Sequence, residues 1–152
     1  EDQVSYVNAP LIAADRGMEI RLVTDEESQD YRNLVTVRGV LTDGRIVSVS
    51  GTLAGPKHHE RLVEVLGHDI DVEPTEHMAF LRYDDRPGVV GVVGRVLGDA
   101  GVNIAGMQVS RVMKGGRALV AMTVDQAIPP HVLDDIVAAI GAEWGRTVDL
   151  ED

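Results

Sequence analysis

The sequence contains no cysteine. Disulfide frameworks and thiolate metal sites are excluded on that ground, and a reducing cytoplasm is the expected compartment. Aromatic residues are scarce, 3% of the chain against 44% hydrophobic residues. The core must therefore be built from Val, Leu, Ile and Ala. Positive charge is outnumbered, with 14 Lys and Arg against 25 Asp and Glu, a formal net charge of −11. A surface of that sign repels phosphate backbones and anionic lipid, so neither nucleic acid nor membrane is expected as a partner. No apolar run approaches the ~18 residues that a membrane-spanning helix needs. The opening EDQVSYVNAP has neither the basic start nor the apolar stretch of a signal peptide, and no initiating Met. The 152 residues suit one ordinary domain or two small ones, and we read them as part of something longer.

What is present falls into two rhythms. In the first, 6–17 reads as a short helix, with Asn8 at the N-cap, Pro10 in the first turn and Gly17 at the stop. Residues 18–25 read as a strand from the alternation of Ile20 and Leu22, and 25–32 as a polar loop. The runs 33–41 and 45–53, joined by Thr42-Asp43-Gly44, read as a hairpin with a two-residue turn. After a break at 54–59, two more short strands are expected on either side of Gly67, and Glu73-Pro74-Thr75-Glu76 reads as a linker. In the second, a strand at 78–84, a helix at 87–100, a strand at 102–112, a turn at Lys114-Gly115-Gly116, a strand at 117–125, a helix at 129–141 and a strand at 145–151 follow in order. The helix at 129–141 puts Val132, Leu133, Ile136, Val137 and Ile140 on one face. That order is βαββαβ, the ferredoxin-like arrangement. The expected class is α+β: a β-rich domain over 1–75, then a ferredoxin-like domain over 76–152.

Glycine crowds one stretch, at 88, 91, 94, 98 and 101. A dinucleotide fingerprint needs G-x-G-x-x-G and a phosphate loop needs G-K-[ST]; neither occurs, which argues against a nucleotide cradle. Spacings of three and four align Gly91, Gly94, Gly98 and Gly101 along one side of a helix. Close packing on another backbone would account for Gly91, Gly94 and Gly98, and a helix stop for Gly101. Gly88 lies instead at the helix start, beside Pro87, where unpaired N–H groups and the helix dipole favour a small anion. Asp85 can accept from an ammonium, and Asn103 offers both donor and acceptor. Together they suit an amino acid. Equally, Asp85 can cap the helix and Asn103 can bond its own turn; spacing leaves both readings open.

DDRPGVVGVVGRVLGDAGVNIAGMQVSR resembles the start of an ACT domain, a βαββαβ module that senses small molecules. VSYVNAPLIAADRGMEI and VSGTLAG resemble the intervening, allosteric substrate-binding domain of bacterial D-3-phosphoglycerate dehydrogenases. The resemblance covers nearly the whole chain. It implies a site for L-serine between paired ACT domains, used for feedback inhibition of serine biosynthesis. By position it assigns Tyr83 and Asp85 to the serine-contacting loop, Pro87, Gly88, Val89 and Val90 to the helix start, and Asn103 and Ile104 to the facing subunit. It also implies a homodimer through the ACT domains, a tetramer in the parent enzyme, and an NAD domain elsewhere in the parent. Some members carry His at position 83 and Asn at position 85; the Asp here favours an ammonium. The intervening domain can hold an anion; Lys57, His58, His59, Arg61 and His68 are the candidates, interleaved with Glu60, Glu64, Asp69, Asp71 and Glu73. A solvated surface is the competing reading. No metal-ligand spacing occurs. No nucleophile is paired with a base, so the chain itself is expected to catalyse nothing and to hold no cofactor. Two alternatives stand beside this: the ACT-containing region of a bacterial L-serine dehydratase, and an oligomerisation module without a ligand.

Overall fold

The computed structural model describes residues 4–5, 7–24, 31 and 33–150. The chain forms two compact units, Glu1–Asp30 and Tyr31–Asp152. In the first, helix α1 spans Ala9–Asp15 with Pro10 in its first turn. Asn8 occupies the N-cap but does not cap with its side chain. Its Oδ1 instead accepts from the Ser5 N–H at 2.6 Å. Gly17, at φ 68°, ends the helix. There the Met18 and Gly17 N–H groups close onto the Ala13 and Ala14 carbonyls at 2.8 and 2.9 Å, a left-handed C-terminal cap. The strand expected over 18–25 does not form within 18–24. Ile20 and Leu22 are 68% and 90% exposed. Alternation supplies an apolar edge, but a strand also needs a ladder partner for its N–H and C=O groups. The loop expected at 25–32 lies almost wholly outside the described residues.

The second unit holds two antiparallel four-stranded sheets. The first is built from β1 (Val35–Val40), β2 (Ile46–Ala54), β3 (His59–Val65) and β4 (His68–Val72), paired in sequence order. The β1–β2 connection differs from expectation. Leu41 N–H bonds Arg45 O at 2.8 Å and Gly44 N–H bonds Leu41 O at 2.9 Å. With Gly44 at φ 80°, this is a three-residue loop whose last residue is left-handed, not a two-residue turn. The tight two-residue turn occurs instead at Leu66-Gly67, both at positive φ, between paired Val65 and His68.

The second sheet is built from β5 (His77–Asp84), β6 (Ile104–Arg111), β7 (Arg117–Val124) and β8 (Trp144–Asp149). Its spatial order is β6-β7-β5-β8. Helix α2 (Val89–Asp99) connects β5 to β6, and α3 (Pro130–Ile140) connects β7 to β8. This is the expected ferredoxin-like half of an α+β chain. Val89, Val93 and Leu97 of α2 and Val132, Ile136 and Ile140 of α3 pack with Ala79, Leu81, Tyr83, Val120 and Met122 in one core. The opposite face of the sheet is also covered: Met78, Phe80, Leu119 and Ala121 pack with Ile70, Leu62, Val65 and Val72 of the first sheet. Burial on both faces explains why β7 reads as the nearly unbroken apolar run RALVAMTV.

Gly101 stops α2 as expected: it sits at φ 72°, and Val102 N–H reaches back to Leu97 O at 2.9 Å. The expectation for Gly91, Gly94 and Gly98 fails within the chain. A Cβ added at any of them would meet nothing within 4 Å beyond the helix itself. The core-facing side of α2 is its Val and Leu stripe, so the glycines look away from the sheet.

Candidate functional site

The loop between β5 and α2 carries the predicted residues, and its geometry follows from Gly88. That residue stands at the N-cap of α2 with φ 90° and ψ −16°, a left-handed conformation that glycine adopts without strain. No side chain caps the helix there. A Cβ at Gly88 would meet nothing within 4 Å, so the space beside that residue is open. Pro87 and Val90 are exposed, while Val89 is buried in the core.

Asp85 does not cap α2. Its Oδ2 accepts from Arg111 Nη1 at 3.0 Å and from the Gly115 N–H at 3.4 Å, and its own N–H donates to Gly116 O at 2.8 Å. The loop is thereby tied to the β6–β7 turn. The hydrogen bond from Arg111, helped by the Gly115 amide, holds the Asp85 carboxyl below the usual carboxylate range against a smaller opposing effect of burial. Asp85 is an anion with one oxygen engaged. Its Oδ1 has no partner among the described residues. Arg86, next in sequence, turns away and donates from Nη2 to Ile140 O at 2.7 Å, closing the carbonyl end of α3.

Asn103 does not bond its own turn either. Its Nδ2 donates to Asp125 Oδ2 at 2.7 Å, and the Asp125 N–H donates to Asn103 O at 3.1 Å. Asn103 is exposed and Ile104, opening β6, is half-buried. Tyr83 is the outlier. It is 2% exposed and packs in the helix-side core. Burial raises its phenol pKa, and the Asp85 charge adds to that against a smaller opposing effect of Arg111. Its body is a core residue, and only its neighbourhood with Asp85 and Arg111 ties it to the loop.

The anion candidates of the first sheet differ in their surroundings. Arg61 Nε donates to Asp71 Oδ1 at 2.7 Å, its Nη2 to Asp71 O at 2.8 Å, and Glu73 lies 3.8 Å from Nη1. Two carboxylates thus already answer its charge. Lys57, His58 and His59 are exposed, with His58 at φ 55° in the turn before β3. His68 is no surface candidate: it is 3% exposed and lies beside the Ser110 backbone of β6. Burial lowers its pKa, the Arg82 charge lowers it further, and the Ser110 backbone only partly offsets both. His68 Nδ1 and Arg82 Nε are buried without hydrogen bonds; the Glu143 carboxylate, at 3.6 Å from Arg82 Nε, is past hydrogen-bond reach. With Gln108 Oε1 accepting from the Asp71 N–H at 2.7 Å, these groups form the polar part of the junction between the sheets.

Sequence reasoning missed Arg111 and Asp125. A signal for Arg111 existed in strand register: Arg111 pairs with Ala118, which pairs with Tyr83, so the end of β6 must lie two strands from the loop. For Asp125 the signal was misleading. Counting back from the β6–β7 turn at constant register sets Asn103 opposite Gln126. A bulge between Ile104 and Gly106 shifts the pairing by one residue, so that Ile104 opposes Val124. Two open clefts, of ≈ 300 and ≈ 320 Å³, lie along the first sheet and its junction with the second; neither is lined by Asp85, Gly88 or Asn103. Among the described residues no group of three or more His, Asp or Glu side chains could hold a metal ion.

Comparison with known proteins gives two domain matches: a D-3-phosphoglycerate dehydrogenase intervening domain over residues 1–66 and an ACT domain over residues 77–141. Curated relatives include the D-3-phosphoglycerate dehydrogenases of Mycobacterium leprae, 40% identical over 150 residues, and of Bacillus subtilis, 37% identical over 150 residues. That of Methanocaldococcus jannaschii is 31% identical over 133 residues. The first two alignments take in 99% of this chain but 28% of each relative; the third takes in 88% and 25%. Among solved structures, an unknown protein from Galdieria sulphuraria matches 50% of this chain and 44% of its own with a TM-score of 0.41 at 14% identity, a likeness that bears on neither fold nor function.

Proposed function

The chain is a D-3-phosphoglycerate dehydrogenase intervening domain joined to an ACT domain, and from that premise we propose that it is the regulatory and oligomerising region of an NAD-dependent phosphoglycerate dehydrogenase that binds L-serine for feedback inhibition. We set the division between the domains at 75/76, in the segment between β4 and β5. The nicotinamide site and the catalytic groups belong to a part of the enzyme outside these 152 residues, and the cytoplasm is the compartment.

The carrying observation is the start of α2, uncapped at Gly88 and open beside that residue. The serine carboxylate sits on those amides, where the dipole and the free N–H groups favour it. Its ammonium lies between Asp85 Oδ1 and Asn103 of a second copy. Neither of the two clefts described above includes this loop, and a second copy would complete the pocket. The open glycine side of α2 gives a second copy room for close approach. Strand β6 then connects the site to the first sheet: Arg111 holds Asp85, while Gln108 bonds Asp71 and Ser110 lies beside His68. A serine-dependent preference of about 1–3 kcal/mol for one arrangement of the copies would change activity roughly five- to 150-fold.

The dehydratase alternative loses ground, because relatives matching 99% of the chain are phosphoglycerate dehydrogenases. The ligand-free module is an outcome of the test. A panel of amino acids is screened by thermal shift, where a bound ligand raises the melting temperature by mass action. L-Serine is expected to raise it. Calorimetry of Asp85→Ala combined with Asn103→Ala is expected to lose the binding while dimer and melting temperature persist. Serine affinity surviving unchanged in that variant sinks the pocket, and no response of the unaltered chain to any amino acid favours the ligand-free module.

A further inference from the structure

The Asn103–Asp125 pair fixes which end of the Asn103 amide is engaged. A carboxylate at pH 7 only accepts hydrogen bonds, whereas an amide has a donor end and an acceptor end. With Nδ2 donating to Asp125 Oδ2 at 2.7 Å, one N–H is committed, and Oδ1 is the end of the amide that Asp125 cannot engage. Among the described residues Oδ1 has no partner. Asp85 repeats the pattern, one oxygen held by Arg111 and Gly115 and the other unpartnered. Each candidate group for the ligand's nitrogen thus presents an acceptor, and each is held by a neighbouring side chain.

We infer that Asp125 is a positioning residue: by holding the Asn103 amide with Oδ1 unengaged, it makes the site select an ammonium-bearing acid over the hydroxy acid of the same skeleton. The inference rests on the serine reading above. An ammonium brings three donors and a positive charge to two acceptors, one of them an anion. A hydroxyl brings one donor and no charge, so it gains less from the same arrangement. A free Asn103 could rotate its NH₂ outward, which suits a hydroxyl oxygen and opposes an ammonium. The β6 bulge that brings Asn103 opposite Asp125 is part of the device, since bulges re-aim side chains at functional sites.

The test is calorimetry of the full chain with L-serine and with L-glycerate, in which a hydroxyl replaces the amine at the same configuration. Asp125→Asn keeps the shape but pairs with Asn103 in either orientation. Serine affinity is expected to fall about tenfold, the scale of one net hydrogen bond, while glycerate affinity moves less than about twofold. Asp125→Glu is expected to restore part of the serine preference, which a merely structural role would not do. Equal losses for both ligands, or unchanged serine affinity in Asp125→Asn, overturn the positioning role and leave the serine site standing. Failure of the unaltered chain to bind serine overturns both.

Discussion

The two sheets of the second unit are built from similar residues and buried very differently. In the ferredoxin-like sheet both faces are covered, one by α2 and α3 and the other by strands of the neighbouring sheet. Leu81, Leu119, Met122 and Ile136 reach 0% exposure. In the first sheet the apolar face is covered only towards β4. Val35 and Val37 of β1 remain 71% and 64% exposed. Its other face is polar and internally bonded: the Glu64 carboxylate accepts from Ser48 Oγ at 2.6 Å, Ser50 Oγ at 2.8 Å and the Gly67 N–H. Apolar alternation alone therefore does not measure stability; what lies across from it does.

The largest break in this comparison comes from paired truncations. Ile136→Ala, at the centre of the helix-side core, is expected to cost about 2–5 kcal/mol, as cavity-forming substitutions do. Val37→Ala should stay within about 0.5 kcal/mol, as for surface positions. Urea unfolding of the two variants measures both, and equal costs would mean that the first sheet is covered in solution as fully as the second.

A smaller effect sharpens the polar side. Burial works against the Glu64 charge, but the Ser48 hydroxyl, the Gly67 amide and the Ser50 hydroxyl outweigh it, and the carboxyl pKa falls below its ordinary value. Glu64→Ala leaves those donors to water or to nothing, at a cost of about 1 kcal/mol after allowing for solvent screening. Because the folded pKa is the lower one, this contribution is present above the unfolded carboxylate pKa and lost as pH falls through the folded value. An acid titration of unfolding midpoints should therefore lose part of its slope in the Glu64→Ala variant.

The smallest effect concerns the junction. The folded pKa of His68 is lowered, first by burial and then by Arg82. Above the unfolded histidine pKa of about 6.5 both states are neutral and no stability is lost. As pH falls below it, the unfolded chain takes the proton first, and stability declines until the folded pKa is passed. Replacing His68 with Gln should flatten the fall of the urea midpoints as pH drops below about 6.5. An unchanged slope would show that the ring is not desolvated between the sheets.

Much of this was legible because it is local. Gly101 and Gly141 announce helix ends, Lys114-Gly115-Gly116 a turn, and Val132, Ile136 and Ile140 a buried face, since backbone freedom and helical period act within a few residues. The unpaired amides at Gly88 were legible for the same reason. What stayed hidden depends on partners far along the chain. Ile20 and Leu22 alternate like a strand and are not one. Leu66-Gly67 makes the tight turn that Asp43-Gly44 advertises, because strand pairing there forces both residues to positive φ.

By itself the sequence determined the order of elements from β1 onward and where the two long helices stop, because caps, turns and periodicity are written in neighbouring residues. Only the tertiary structure decided that Arg111 holds Asp85, that Asp125 rather than Gln126 holds Asn103, and that His68 is buried. Those outcomes hang on a one-residue bulge and on the packing of one sheet against another, and no short-range pattern encodes either.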